Sequence, residues 1–183
     1  MKAIRHEELW EFAQKMEYTD EDAYRSGALD AIGLLLHEVP FENHRCENCL
    51  QFAGTGGDFI TYNYWLEQPF LSQTAPIIMH IPIPDTKIVV GENLYDFLCL
   101  GCELGYFYLS NYAFSPNDFL NMYQHPEAAW KKFEEEELES LESDELSLAR
   151  KRQLLTLLTE KFELHPWNNI GDKMLKLQEI IRV

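Results

Sequence analysis

The chain reads as an α+β protein: a twisted, mainly antiparallel β-sheet flanked by helices, with a helical C-terminal region. Three observations predict this. Residues 50–100 hold short β-rich runs separated by glycine- and proline-marked breaks. Within them, FITYNYWL places β-branched and aromatic residues at period two. On both sides the apolar residues recur every three to four positions, the spacing of amphipathic helices. A length of 183 residues suits one domain, with a core at about 40–125 and a helical extension at about 126–183.

Leu9, Phe12, Ala13 and Met16 make the apolar stripe of a first helix. Thr19 or Asp20 is the N-cap of a second, running through Ala31 to His37 and ended by Pro40. Cys49 to Ala53 is short and apolar, and Gly54, Gly56 and Gly57 then form a turn in which Asp58 can bond its own backbone. The next strand sets Tyr62 and Tyr64 on one side and Asn63 and Trp65 on the other. A second strand, IIMHI, begins after Pro76; Pro82 and Pro84 require it to end early or lie at an edge. Lys87 to Val90 is a third strand. Asn93 caps a helix with Leu94, Phe97, Leu98 and Gly101 on one face.

Tyr106–Phe114 fits a helix through Leu109, Tyr112 and Ala113. Ser115-Pro116 and Pro126 are helix starts. The helix from Pro126 carries Trp130, Phe133, Leu138 and Leu141, and Ser143-Asp144 interrupts the pattern before Leu146–Phe162. The run Glu134–Glu137 reads as a solvated face, with Lys131 pairing Glu135 at i,i+4. Met174, Leu177, Ile180 and Ile181 form the stripe of a last helix.

The formal net charge of −16 weighs against nucleic-acid phosphates and anionic lipid as partners and favours a basic one. Between Pro40 and Phe114 the only cationic side chains other than histidine are Arg45 and Lys87. No apolar run approaches the ~20 residues of a membrane helix, and charges interrupt the start MKAIRHEELWEF, so the expected compartment is cytoplasmic.

Cys46-x-x-Cys49 and Cys99-x-x-Cys102 formally make a four-thiolate zinc set. The long separation and the absence of glycine-rich knuckles favour isolated thiols instead, with a redox pair at Cys46 and Cys49 as a further alternative. Four cysteines without a secretory signal do not argue for disulfides. No HExxH or GxSxG motif and no matched acid–base pair is present, so no catalytic residue and no cofactor is expected. Gly54–Asp58 lacks the lysine of a phosphate-binding loop and ends in a carboxylate, which favours a structural turn. Tyr62, Tyr64 and Trp65 offer aromatic contact area for a partner, although core packing explains such residues equally well.

The order of these pieces resembles the SUKH superfamily, which includes fungal regulators of cell-wall glucan synthesis and bacterial immunity proteins. The residues carrying the resemblance are Gly56, Gly57 and Asp58 at the turn, Pro76 and Ile77 opening a strand, and Leu94, Phe97 and Leu98 in the following helix, over about a third of the chain. The amino-terminal Leu-Pro and Asn-Gly signature of that family is not evident in residues 1–40. The resemblance implies a non-enzymatic protein-binding module, such as an immunity protein that neutralises a basic, nuclease-like toxin domain. The alternative is a small metal-dependent or ligand-sensing regulator built on the two CxxC pairs.

Overall fold

The computed structural model describes residues 3–17, 28–66, 74–139 and 148–181. In chain order these form α1 (His6–Glu17), a 3-10 turn (Ala28–Ile32), β1 (Leu35–Glu42), β2 (Cys49–Gly54), β3 (Thr61–Trp65), β4 (Ile77–Pro82), β5 (Asp85–Gly91) and α2 (Leu94–Gly101). A second 3-10 turn (Phe107–Ser110) leads into α3 (Asn111–Phe114), α4 (Pro116–Gln124), α5 (Pro126–Glu139), α6 (Leu148–Phe162) and α7 (Ile170–Gln178). The five strands pair antiparallel in sequence order, β1-β2-β3-β4-β5. The α+β class, the antiparallel sheet and the helical C-terminal region are those expected from the sequence.

Two expectations fail at the start of the sheet. The helix expected through His37 does not reach it: Leu35–His37 belong to β1, and the proposed cap at Thr19 or Asp20 lies outside the described residues. Gly33, at φ 84°, turns the chain here, and a Cβ on it would stand 2.6 Å from the Phe107 nitrogen. Leu35 and Leu36 then pair with Gly54 and Ala53, so a long-range ladder overrides a locally helical pattern. Pro40 does not end a helix but sits within β1. From Leu36 to Phe41 the first strand advances five residues while its partner moves two, from Ala53 to Gln51. Pro40 lies in that bulge, where no ladder bond is asked of its nitrogen. The sheet therefore has five strands rather than the three β-rich runs.

β4 ends at Pro82 but is an inner strand between β3 and β5, which resolves the alternatives the prolines left open. Its register sets Ile77 opposite Tyr64 and Met79 opposite Tyr62. These four are buried, and α2 and α1 cover them: Phe97 packs its ring against Phe52, Tyr62 and Tyr106, while His6 meets Phe52 and Tyr64 edge-on. Asn93 caps α2 by accepting from the Asp96 amide at 3.1 Å, and Leu94, Phe97, Leu98 and Gly101 all face inward.

The remaining helices follow their sequence signals closely. Ser115 precedes Pro116 at the first helical position, although the serine hydroxyl makes no cap bond. Trp130 is buried on α5, Glu134–Glu136 are exposed, and Lys131 lies 3.9 Å from Glu135. The supposed break at Ser143-Asp144 lies outside the described residues. Phe162 of α6 meets Phe12 of α1, and α7 buries Met174 and Leu177 but ends at Gln178, so Ile180 and Ile181, expected in its stripe, lie beyond the helix. Gln178 of α7 reaches the outer edge of β5, where its side-chain amide accepts from the Val89 amide at 3.0 Å and donates to the Val89 carbonyl at 2.9 Å. It substitutes for the sixth strand that an open edge would otherwise invite. No described helix is long and apolar enough to cross a membrane.

Phe97 is fully buried among three other rings. Truncation by Phe97→Ala is expected to cost about 3–5 kcal/mol of unfolding free energy, measured by urea titration; an effect below about 1 kcal/mol would contradict this account of the core.

Candidate functional site on the second face of the sheet

The aromatic row of β3 does not lie where a partner would meet it. Tyr62 and Tyr64, expected as contact residues, are 0% and 1% exposed and belong to the helix-covered face. The Tyr62 hydroxyl donates to the Tyr106 carbonyl at 2.6 Å. Burial, which disfavours phenolate, pushes both hydroxyls well above their ordinary range. Trp65 is only half-buried and packs at the margin of the core.

The opposite face over β1–β3 and the end of β4 holds a cavity of about 360 Å³ of mixed lining, with Leu35 and Ile60 beside its polar groups. His37, Phe41, Asn43, Gln51, Thr61 and His80 line it. Strand register explains their convergence, since Phe41 pairs with Gln51, Gln51 with Asn63, and Thr61 with His80. The polar groups bond across the strands. The Gln51 amide donates to His37 Nε2 at 2.9 Å, and the His80 ring donates to Asp85 at 2.7 Å. Asn43 reaches across β2, donating to Thr61 Oγ1 at 3.2 Å and Asn63 Oδ1 at 2.8 Å. Asn43, Asn63 and His80 are buried, which satisfied hydrogen bonding makes affordable.

Two exposed aromatic side chains rim the cavity, Phe41 at 47% and Phe59 at 70%. Phe59 has φ 60°, a left-handed conformation that costs a bulky residue about 1–3 kcal/mol. The turn before it supplies the restraint. Gly56 is at φ 98°, Thr55 donates its hydroxyl to the Asp58 carboxylate, and Asp58 Oδ1 accepts from the Ile60 amide at 3.2 Å. Gly56, Gly57 and Asp58 thus form the structural turn expected of them, and Asp58 is committed to that turn's own donors. The result is an aromatic ring presented to solvent. Phe41 and Phe59 were not singled out by their sequence pattern; the signal available for Phe59 was its place directly after Gly-Gly-Asp, the point where a strained turn ends.

The cysteines divide into two unlike pairs. Cys46 and Cys49 are joined by a disulfide, against the expectation of none. The β1–β2 connection folds back on itself, with the Cys46 amide donating to the Asn43 carbonyl and Asn48 at φ 58°, and this brings the two Cα atoms to 5.4 Å. Cys99 and Cys102 are buried free thiols on and just after α2. Burial raises both, Cys102 to about 12. With Cys46 and Cys49 bonded to each other, the four-thiolate set is not assembled, and no group of three or more metal-ligating side chains occurs among the described residues.

A larger cavity, about 500 Å³, lies between Glu103, Trp130 and Arg152. Its one cation is already engaged: Arg152 stacks 4.9 Å from the Trp130 ring centre and pairs with Glu127 at 3.4 Å and Glu134 at 3.8 Å.

His37 links the site to pH. Burial, and secondarily His6, hold it below its ordinary value of 6.5. The folded chain therefore keeps His37 neutral where the unfolded chain takes up a proton. Its contribution to stability is full above about pH 6.5 and is lost as the pH falls through the folded value. His37→Gln is expected to flatten part of the fall in urea midpoint between about pH 7.5 and pH 5.5; parallel profiles for the two chains would refute the assignment.

Comparison of the chain with protein-family models, curated proteins and solved structures gave no match.

Proposed function

We propose that this chain is a non-enzymatic protein-binding module, of the kind exemplified by immunity proteins, and that its second sheet face meets a basic partner such as a nuclease-like toxin domain. The observation that carries the proposal is the strained, exposed Phe59 standing with Phe41 over a cavity that also holds hydrogen-bonding side chains. Exposed aromatic anchors beside hydrogen-bonding groups are the composition of recognition surfaces. Charge supports the sign of the partner. The exposed carboxylates Glu38, Glu42, Asp58 and Asp85 outnumber Arg45 and Lys87 around this face, on a chain of net charge −16.

The SUKH-like residues take positions that suit the same proposal. Gly56-Gly57-Asp58 is a turn between two strands, Pro76-Ile77 opens β4, and Leu94, Phe97 and Leu98 are buried on α2. None of them is a chemical group poised for reaction; each serves the scaffold. The second reading, a metal-dependent regulator, loses its main support with Cys46 and Cys49 bonded to each other.

The test compares proteins recovered from source cells by the wild-type chain and by a Phe41→Asp, Phe59→Asp double variant. A basic protein retained by the first, lost at least tenfold by the second and released by raised salt is the expected result. Identical recovery by both chains, or retention insensitive to salt, would overturn the proposal.

A further inference from the structure

The connection between β1 and β2 forms one wall of the cavity through Asn43, His44 and Arg45. Asn43 is its anchor. Its amide donates to the Cys49 carbonyl at 2.9 Å, its carbonyl accepts from the Cys46 amide at 2.9 Å, and Oδ1 accepts from the Arg45 amide at 3.0 Å. Its remaining donor is the side-chain amide already bonded to Thr61, which lines the cavity, and to the buried Asn63. The Cys46–Cys49 bond closes this same short loop, so a covalent link, the Asn43 bonds and the Leu66 amide donating to the Asn48 carbonyl at 2.8 Å together hold the wall against the sheet.

We propose that Cys46 and Cys49 are a reversible dithiol–disulfide site whose oxidation state sets the order of the cavity wall, with small or protein dithiols as its reductants. A reductant thiolate attacks one sulfur of the pair, and the other leaves as a thiolate and takes a proton. The reductant's second thiolate then attacks the mixed disulfide, releasing the first cysteine, which is likewise protonated. The protein gains two electrons and two protons, and the reductant departs as a disulfide. Both cysteines are buried, at 1% and 2% exposure, so attack follows local opening of the loop rather than reaction at the resting surface. Once reduced, the loop loses its covalent closure and relies on the hydrogen bonds of Asn43 and Asn48. Cys99 and Cys102 have the same spacing but are buried free thiols, and they provide an internal control. The proposal does not depend on which partner the face binds.

The experiment treats the native full chain with dithiothreitol and then iodoacetamide and maps the adducts by mass spectrometry. Two adducts are expected, at Cys46 and Cys49, with none in the untreated chain and none at Cys99 or Cys102. Amide exchange over residues 44–49 should rise about tenfold on reduction, with β4 unchanged, and the Cys46→Ser, Cys49→Ser variant should match the reduced chain. Alkylation of Cys46 and Cys49 without reductant would overturn the proposal. So would equal labelling of all four cysteines after reduction, or unchanged exchange in the reduced wild-type chain, which needs no variant to fold.

Discussion

The contacts of Tyr106 hold this structure together. Its amide donates to the Ile32 carbonyl at 2.7 Å, its carbonyl accepts the Tyr62 hydroxyl, and its own hydroxyl donates to the Leu98 carbonyl at 2.9 Å. The 3-10 turn before β1, the middle of the sheet and α2 therefore all meet at one residue. Gly101 leaves the space that the Tyr106 ring fills, and Gly105, at φ 82°, turns the chain into position. Tyr123 adds its hydroxyl to the Gly105 carbonyl at 2.9 Å. Tyr62, Tyr106 and Tyr123 each donate to a backbone carbonyl, so the core accepts these polar-tipped rings with their hydroxyls satisfied.

That aromatic core makes the two faces of the sheet unequal. Phe97, Phe52 and the tyrosines fill the helix side, and the polar residues of β1–β3 are left on the other. Antiparallel sheets allow this division, because alternate side chains point to opposite faces. Both edges are also managed by side chains. Gln178 takes up the Val89 edge groups, and His6 donates to the His37 carbonyl at 2.7 Å at the other end of the sheet. The bulge and Pro40 discourage further pairing along β1.

The two CxxC pairs illustrate how context outweighs spacing. At the end of α2, Cys99 and the C-capping Cys102 are held in a buried setting, and the Cys102 thiol donates to the Cys99 carbonyl at 3.1 Å. In the β1–β2 connection a tight turn brings Cys46 and Cys49 together instead. Identical sequence separation gives two buried thiols in one place and a covalent loop in the other.

The sequence by itself determined the α+β class, the turn at Gly56–Asp58, the Asn93 cap, the helix starts at Pro116 and Pro126 and the stripes of α1 and α7. These depend on local backbone preference and on periodicity within one element. Tertiary structure decided the rest. Leu35–His37 became a strand because β2 was available to pair with it, and Tyr62 and Tyr64 became core because the register turned them toward Phe97 and Phe52 respectively. Period two shows that a strand has two faces; it does not say which one the helices cover. The cavity lined by His37, Asn43, Gln51, Thr61 and His80 draws on four strands and a loop, so it exists only once long-range pairing has brought those segments together.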